Sequence, residues 1–400
     1  MQIKKQRRYF KKDRLIIGFF GFIFCLFIVI RSDFSHITPE QQFIVERGRV
    51  VTIHSEHLWS DAYIPTLYVG SQLVDVEILS GDFAGETTQI EHTLTRFHNL
   101  HLNEGLDVLV SILPEATTLT VYNVSVYGPS RGLVLVLTLF LLGVGMIVVG
   151  RSKGLYAIIS LIFTFVTIIF LLVHGIVTGG GPVFLAIVTS FLIIAFTTGM
   201  ISGGTKQTLA SVSGALVGLF AAGLASFLLG RFTHISGIHL ESVRHVLYHT
   251  PPETFIRIQD LFFAVVIIAT TGAMIDSSIS IASTVFEVKA QSSKKTWLEL
   301  YESSMQVGRS VLGANVNTLI LAFAGTSLVT VLLIVLFGFP SLRIINLELV
   351  AIEIIQGASA TVGMLVGIPA TGFLSAQFAT REAAGGGNSR DGRSRKRKKG

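Results

Sequence analysis

Long apolar runs, uninterrupted by charge, dominate the chain after residue 130. Seven such blocks cover residues 133–149, 155–172, 183–201, 209–229, 261–283, 312–337 and 349–373. Each approaches or exceeds the ~20 residues that a helix needs to cross a bilayer. Only helices and closed barrels satisfy their backbone polar groups in hydrocarbon, and these blocks lack the alternation of barrel strands. The pattern therefore predicts seven membrane-spanning helices within residues 132–378.

An eighth apolar block, residues 15–30, follows the basic segment 1–14 near the N-terminus. The residues after Ile30 lack the small-residue pattern at which a signal peptide is cleaved. We therefore predict an uncleaved transmembrane signal anchor, which leaves the first 14 residues in the cytoplasm.

Between the anchor and the second helix, residues 31–131 change to a period of two. Apolar side chains alternate with polar ones in two clear runs, at Val74, Val76 and Ile78 and at Val108, Val110 and Ile112. Period two is typical of half-buried strands, and turn-forming residues divide the region into five or six of them. The predicted fold is thus an α-helical integral membrane bundle of about eight transmembrane helices. A small extracytoplasmic β-barrel-like domain, OB-like in size and strand number, lies between helices 1 and 2.

Charge supports this topology. Only 14% of the residues are charged, against about 25% in soluble domains. With the N-terminus in the cytoplasm, every lysine after the anchor falls on the cytoplasmic side, as the positive-inside rule requires. We expect a multi-pass plasma-membrane protein with both termini cytoplasmic and a disordered basic tail at residues 379–400. The bilayer explains the net charge of +6 better than nucleic acid does, since no recognition module accompanies it.

The sixth predicted helix contains a carboxylate, Asp276. Gly272, Asp276 and Ser280 are spaced by four and share one helix face, with Ser277 beside them. A charge at the bilayer centre costs about 2.5 to 3.5 kcal/mol, so we expect Asp276 to face the bundle interior or a water-filled cavity. The stripe then belongs to an ion or proton path. The alternative is that Asp276 lies near the cytoplasmic interface and is simply solvated.

The seventh predicted helix brings Arg309, Asn315 and Asn317 into the membrane. Arg309 is placed to neutralise Asp276 across a helix pair, so we expect one polar cluster near the cytoplasmic end. Amides also hydrogen-bond between helices as plain packing contacts, which explains the two asparagines nearly as well.

The eighth predicted helix adds Glu353 to the candidate polar residues, about a turn inside the opposite interface. Exposure to water is its simpler explanation. Small residues at four-residue spacing predict close helix contacts, at Gly214 with Gly218 and at Gly363 with Gly367.

A candidate metal site occupies the loop between the fifth and sixth predicted helices. Glu241, His245 and His249 are spaced by four and could bind zinc from one face of a helix. No residue that could orient these ligands is evident, so an amphipathic interfacial helix is the favoured interpretation. The chain lacks a nucleophile elbow, a phosphate-binding loop and a zinc-protease signature, and we expect neither a cofactor nor an enzyme.

The sixth and seventh predicted helices resemble those of the YibE/F-like family of bacterial multi-pass membrane proteins. The sixth-helix motif is met by Gly272, Ala273, Asp276, Ser280, Ile281, Ala282 and Ser283. The seventh-helix motif is met by Gly308, Arg309, Gly313, Asn317, Thr318, Leu319, Ile320, Leu321, Ala322 and Gly325. Where the family often has an acid after the Gly-Arg pair, this chain has Ser310. The resemblance covers nearly the whole chain and implies the bacterial plasma membrane and a related YibE/F-like protein as partner, but no substrate.

Two classes of function fit these observations. The first is a transporter or permease-like protein for a small solute or ion, supported by Asp276 and the asparagines. The second is a membrane scaffold or sensor whose β domain binds an envelope partner.

Overall fold

The computed structural model describes residues 17–18, 21–29, 43–113, 119, 123–203, 205–237, 257–292 and 294–397, with side chains as far as Arg381. The chain divides into two compact units. Residues 34–148 form one unit, and residues 1–33 with 149–400 form the other.

The first unit holds a five-stranded antiparallel sheet. Its strands are β1 (Ile44–Ser60), β2 (Tyr68–Ile78), β3 (Thr87–Leu94), β4 (Asp107–Ile112) and β5 (Val124–Pro129), in the order β3-β2-β1-β4-β5. Both predicted alternating runs are strands, and their apolar side chains are buried together in one core. The sheet is small and curled, as alternation predicts, but closure into an OB-like barrel is not confirmed.

Asp61, in the turn after β1, is held by three hydrogen bonds. Its side chain is 5% exposed; it accepts from Arg96 Nε at 2.6 Å and from the backbone N–H groups of Tyr63 and Ile64 at 2.8 and 2.9 Å. The Arg96 guanidinium lies over the Tyr63 ring, 4.7 Å from its centroid. The Arg96 hydrogen bond, followed by that from Tyr63, lowers the pKa of Asp61 below its usual 3.8.

This lowered pKa predicts acid sensitivity of the sheet. The stabilisation from Asp61 is complete above the unfolded-state pKa and is lost as the pH falls through the lower folded-state pKa. We expect Asp61→Asn to destabilise the sheet at neutral pH and to reduce the further loss below pH ~4. Denaturation of the full chain, followed by Trp59 fluorescence with Trp297→Phe in the background, measures both effects. If the stability of the wild-type protein and of Asp61→Asn fell equally as the pH was lowered, the role of Asp61 would be contradicted.

The remainder of the described chain is helical. Its helices are α1 (Gly132–Thr167), α2 (His174–Val177), α3 (Pro182–Ser202), α4 (Lys206–Phe232), α5 (Ile258–Gln291), α6 (Trp297–Thr326), α7 (Leu328–Leu336), α8 (Ser341–Ile345) and α9 (Glu348–Arg397). A π-helical turn, Ile168–Val173, joins α1 to α2. Residues 21–29, part of the predicted anchor, are also helical, and Phe24 stacks on Phe163 of α1 at 6.0 Å.

Six helical segments among the described residues are long and apolar enough to span a membrane. The count of eight is therefore not confirmed. The first segment, Gly132–Val177, has 46 residues, more than twice the ~20 that one crossing needs. It contains the predicted spans 133–149 and 155–172. Arg151 lies between them with φ 50° and ψ −130°, which interrupts the helix.

Two predicted boundaries differ from the structure. The span predicted at 312–337 begins at Trp297, where the Thr296 and Glu299 side chains form a capping box, and breaks at Ser327 between α6 and α7. The apolar pattern missed this start because the first turns of α6 are polar. The helical backbone of α9 continues to Arg397, through residues predicted to form a disordered tail.

Two glycine pairs set the distance between α4 and α9. A Cβ placed on Gly218 would lie 2.8 Å from the Gly363 carbonyl oxygen and 2.9 Å from the Gly367 Cα, and one on Gly214 would lie 2.6 Å from the Thr371 Cα. The small-residue contact predicted from the spacing is thus confirmed. These helices pack around α5, whose Met274 is buried against the same glycines.

Candidate functional site

The predicted polar cluster is divided between two faces of α6. On one face, Asn315 Nδ2 donates to Ser277 Oγ of α5 at 2.9 Å. Ser277 Oγ in turn donates to the Ala273 carbonyl at 2.7 Å. This contact joins two of the predicted residues, and its geometry is that of an interhelical packing contact.

Asp276 lies on a face of α5 that the described residues leave exposed, together with Gly272 and Ser280. The three residues share a face as predicted, and the described residues do not enclose Asp276. The neighbouring helices contact α5 on either side of this stripe, because Ser277 bonds to α6 and Thr271 Oγ1 lies 2.8 Å from Ser190 Oγ of α3. Among the described residues, Asp276 and Arg309 form no ion pair, so Arg309 does not neutralise Asp276 as expected from the sequence.

Arg309 and Asn317 line a cavity on another side of α6. Its volume is about 460 Å³, and Leu312, Gly313, Val316, Ile320 and Thr361 complete its wall. A larger cavity of about 880 Å³ adjoins it between α6, α7 and α9. Val316, Ile320 and Thr361 belong to both walls. We call the two cavities together the α6–α9 groove.

α6 and α9 contact each other closely at one end of the groove. A Cβ on Gly308 would lie 2.6 Å from Ile368 Cγ2, and one on Gly372 would collide with Ser304 Oγ. Beyond Gly308 most wall residues of α6 are larger than glycine, and α6 ends in the break at Ser327. The close contact therefore fixes one end of the helix pair, and the groove lies beyond it.

Glu353 lies in the larger cavity, at the opposite end of the groove from Arg309. Ser327 Oγ, at the break between α6 and α7, donates a hydrogen bond to Glu353 Oε1. Glu353 Oε2 is buried and has no hydrogen-bond partner among the described residues. The groove thus carries a cation and an amide at one end and a carboxylate at the other.

Glu348, at the start of α9, forms contacts that the sequence did not indicate. Its Oε1 accepts hydrogen bonds from the backbone N–H groups of Ser236 and Gly237 at 2.8 and 2.6 Å, and from Ser236 Oγ at 2.9 Å. These bonds tie the segment after α4 to α9. An acid in the first turn of a helix is a common sequence signal, but nothing in it indicates a partner 112 residues away.

We expect Glu348→Ala to destabilise the helical unit. Hydrogen bonds to a charged group contribute about 1.5 to 3 kcal/mol each, and the substitution leaves two backbone donors unpaired. Thermal unfolding of the full chain in detergent should show a clearly lower midpoint. Glu302→Ala, at an exposed position of α6, is the matched control and should leave the midpoint unchanged. Equal midpoints for both variants would contradict a structural role.

Metal binding has no support in the part of the chain that the structure describes. No group of three His, Cys, Asp or Glu side chains there could hold an ion. The weak metal candidate, Glu241 with His245 and His249, lies outside the described residues.

Apolar helices of spanning length and a groove with polar ends define the class of protein as a polytopic membrane protein. Residues 137–381 match the family model described as YibE/F-like protein. The match covers more than half of the chain, so the chain belongs to the YibE/F-like family. Comparison with curated proteins and with solved structures gave no match.

Proposed function

We propose that this protein is a transporter or permease for a small solute or ion, and that the α6–α9 groove is its path. One observation carries the proposal. The groove extends from Arg309 to Ser327 along α6, eighteen residues or about 27 Å, close to the ~30 Å of a hydrocarbon core. Arg309 and Glu353 then lie near the two interfaces. Asn317, eight residues or about 12 Å along α6 from Arg309, lies deeper, where a polar side chain is costly unless it meets water, a partner or a ligand.

The orientation is part of the proposal. With both termini in the cytoplasm of a bacterium, the Arg309 end of the groove opens toward the cytoplasm. Glu353 and Ser327 then lie toward the outside. The basic residues flanking α6, such as Lys289 and Lys295, support this direction through the positive-inside rule.

Flux in proteoliposomes tests the proposal. Purified full-length protein is reconstituted and assayed against a panel of labelled inorganic ions and small organic anions, with protein-free liposomes as the control. We expect saturable uptake of at least one class of solute, because a pathway with a binding step saturates. Uptake equal to that of protein-free liposomes across the panel would contradict transport.

A second candidate function is a non-transporting scaffold or sensor, favoured by the aromatic surface of the sheet. Trp59, Tyr63, Tyr68 and Phe97 are all more than half exposed. Exposed aromatic side chains are typical of protein-binding surfaces. Replacing Trp59, Tyr63 and Phe97 by serine should then abolish the cellular phenotype of the protein while leaving any flux intact. If the triple variant instead lost flux and kept the cellular phenotype, the scaffold or sensor function would be contradicted.

We propose a related multi-spanning YibE/F-like protein as partner. Ser310, Ala314, Thr318 and Ala322 are spaced by four along α6, and all are exposed. Small residues at this spacing allow another helix to approach closely. Crosslinking by a photoreactive maleimide reagent attached at Thr318→Cys in Cys25→Ser protein tests this surface, because it needs no thiol on the partner; Leu321→Cys is the neighbouring control. Equal crosslinking from both positions would contradict it.

A further inference from the structure

We infer that the α6–α9 groove binds an anionic amphiphile, with its charged head at Arg309 and its hydrocarbon chain in the larger cavity. The site and the chemistry of its ligand follow from the groove alone. Naming this ligand as the transported substrate rests on the proposed function.

The head-group end of the site is Arg309 with Asn317. Both side chains are exposed toward the smaller cavity, and none of the described acidic residues forms an ion pair with Arg309. An unpaired guanidinium presents several N–H donors in a planar fork that suits phosphate and carboxylate oxygens. The Asn317 amide is a further donor in the same wall.

The chain-binding end is the larger cavity. Most of its wall is apolar, including Val316, Ile320, Phe323, Ile334, Val350 and Ile354. Its volume of about 880 Å³ lies within the ~300 to 1,000 Å³ typical of small-molecule sites in proteins. No lysine, arginine or histidine lies among the described residues of this wall, so nothing there attracts a second negative charge.

Charge fixes the direction of the ligand. The carboxylate of Glu353 lies in the larger cavity, where it disfavours an anionic head, while Arg309 favours one at the other end. A small inorganic anion would use the Arg309 end and leave the apolar cavity unfilled. A neutral hydrocarbon would leave Arg309 without a partner. A molecule with one anionic end and one apolar end satisfies both.

Native mass spectrometry of the full-length protein in detergent tests the inference. The probes are phosphatidylglycerol and phosphatidylcholine with identical acyl chains, added at equal concentrations. We expect phosphatidylglycerol to be retained about tenfold more strongly, because both head groups carry a phosphate but only phosphatidylcholine adds a cation, which Arg309 repels. Arg309→Ala should abolish the preference, and Arg309→Lys should keep most of it. Arg343→Ala, which removes an arginine outside the groove, should not alter it.

A second pair of variants tests the chain end. Ala324 lines the larger cavity and Leu321 on the same helix does not, although both are exposed. Ala324→Trp should lower phosphatidylglycerol retention, whereas Leu321→Trp should not. Glycerol 3-phosphate, which has the head group without the chain, should not compete.

Equal retention of the two lipids, or an unchanged preference in Arg309→Ala, would overturn the inference. Competition by glycerol 3-phosphate as strong as that by the intact lipid would also overturn it, since the chain would then contribute nothing. These readouts measure binding alone. Selective binding without any flux would retain the site and reject the proposed transport, and flux without selective binding would do the reverse.

Discussion

Gly218→Val should unfold the helical unit or lower its thermal midpoint by roughly 6 to 12 °C. A Cβ at this position would meet Met274 Sδ, the Gly363 carbonyl oxygen and the Gly367 Cα, and two of these atoms are backbone that no rotamer change can move. Overpacking costs about 1 to 3 kcal/mol where side chains can adjust, so a backbone collision belongs at or above the top of that range. Thermal unfolding in detergent, read by size-exclusion chromatography, measures the effect.

Gly223→Ala and Gly218→Ala form the matched pair for this prediction. Both glycines lie in α4, but a Cβ on Gly223 would be 3.6 Å from Ile267, which is ordinary contact. Alanine also favours a helix over glycine by about 1 kcal/mol. We therefore expect Gly223→Ala to be neutral or stabilising and Gly218→Ala to be destabilising. The opposite ranking would mean that α4 and α9 do not pack through these glycines.

Ala324→Trp should reduce the proposed flux at least about tenfold without changing the thermal midpoint. Its indole would enter the larger cavity, next to Phe323 and Ser327, and occupy the path. Because Ala324 is exposed, the larger side chain meets no packed core, and folding should be preserved.

Leu321→Trp is the control, since it adds an indole three residues away on the same helix, at an exposed position outside the groove. It should retain wild-type flux. Equal inhibition by both variants would indicate a general effect on α6. Full flux in Ala324→Trp would show that the solute passes elsewhere.

The elements of the fold were largely predictable from local pattern. Alternation at Val74, Val76 and Ile78 identifies a strand wherever the sheet lies, because period two is a local property. The break at Ser327 was not predicted, although Gly325, Thr326 and Ser327 interrupt the apolar run there, because such residues are also common inside membrane helices. Arg151, whose φ and ψ interrupt the helix, lies between the predicted spans 133–149 and 155–172. Hydropathy could not predict this backbone conformation, because it counts residues and does not report φ.

The candidate site was predictable in its residues but not in its arrangement. Spacing correctly put Gly272, Asp276 and Ser280 on one face, but spacing cannot tell which neighbours cover that face. Arg309 and Asn317 were assigned to the same cluster as Asp276, whereas they line a cavity elsewhere on α6. The groove depends on how the side chains of α6, α7 and α9 pack beyond Gly308. The periodicity of a single helix does not predict packing between helices.

Cysteine accessibility along the groove tests the central claim most directly. With Cys25→Ser in the background, single cysteines at Asn317, Thr330 and Thr361 are exposed in intact membranes to a charged, membrane-impermeant thiol reagent. Cysteines at Leu321 and Leu332, exposed outside the groove, are the controls. We predict that the groove positions react and the controls do not, because only the groove admits a polar solute. Reaction at the groove positions no faster than at the controls would contradict a path between α6 and α9.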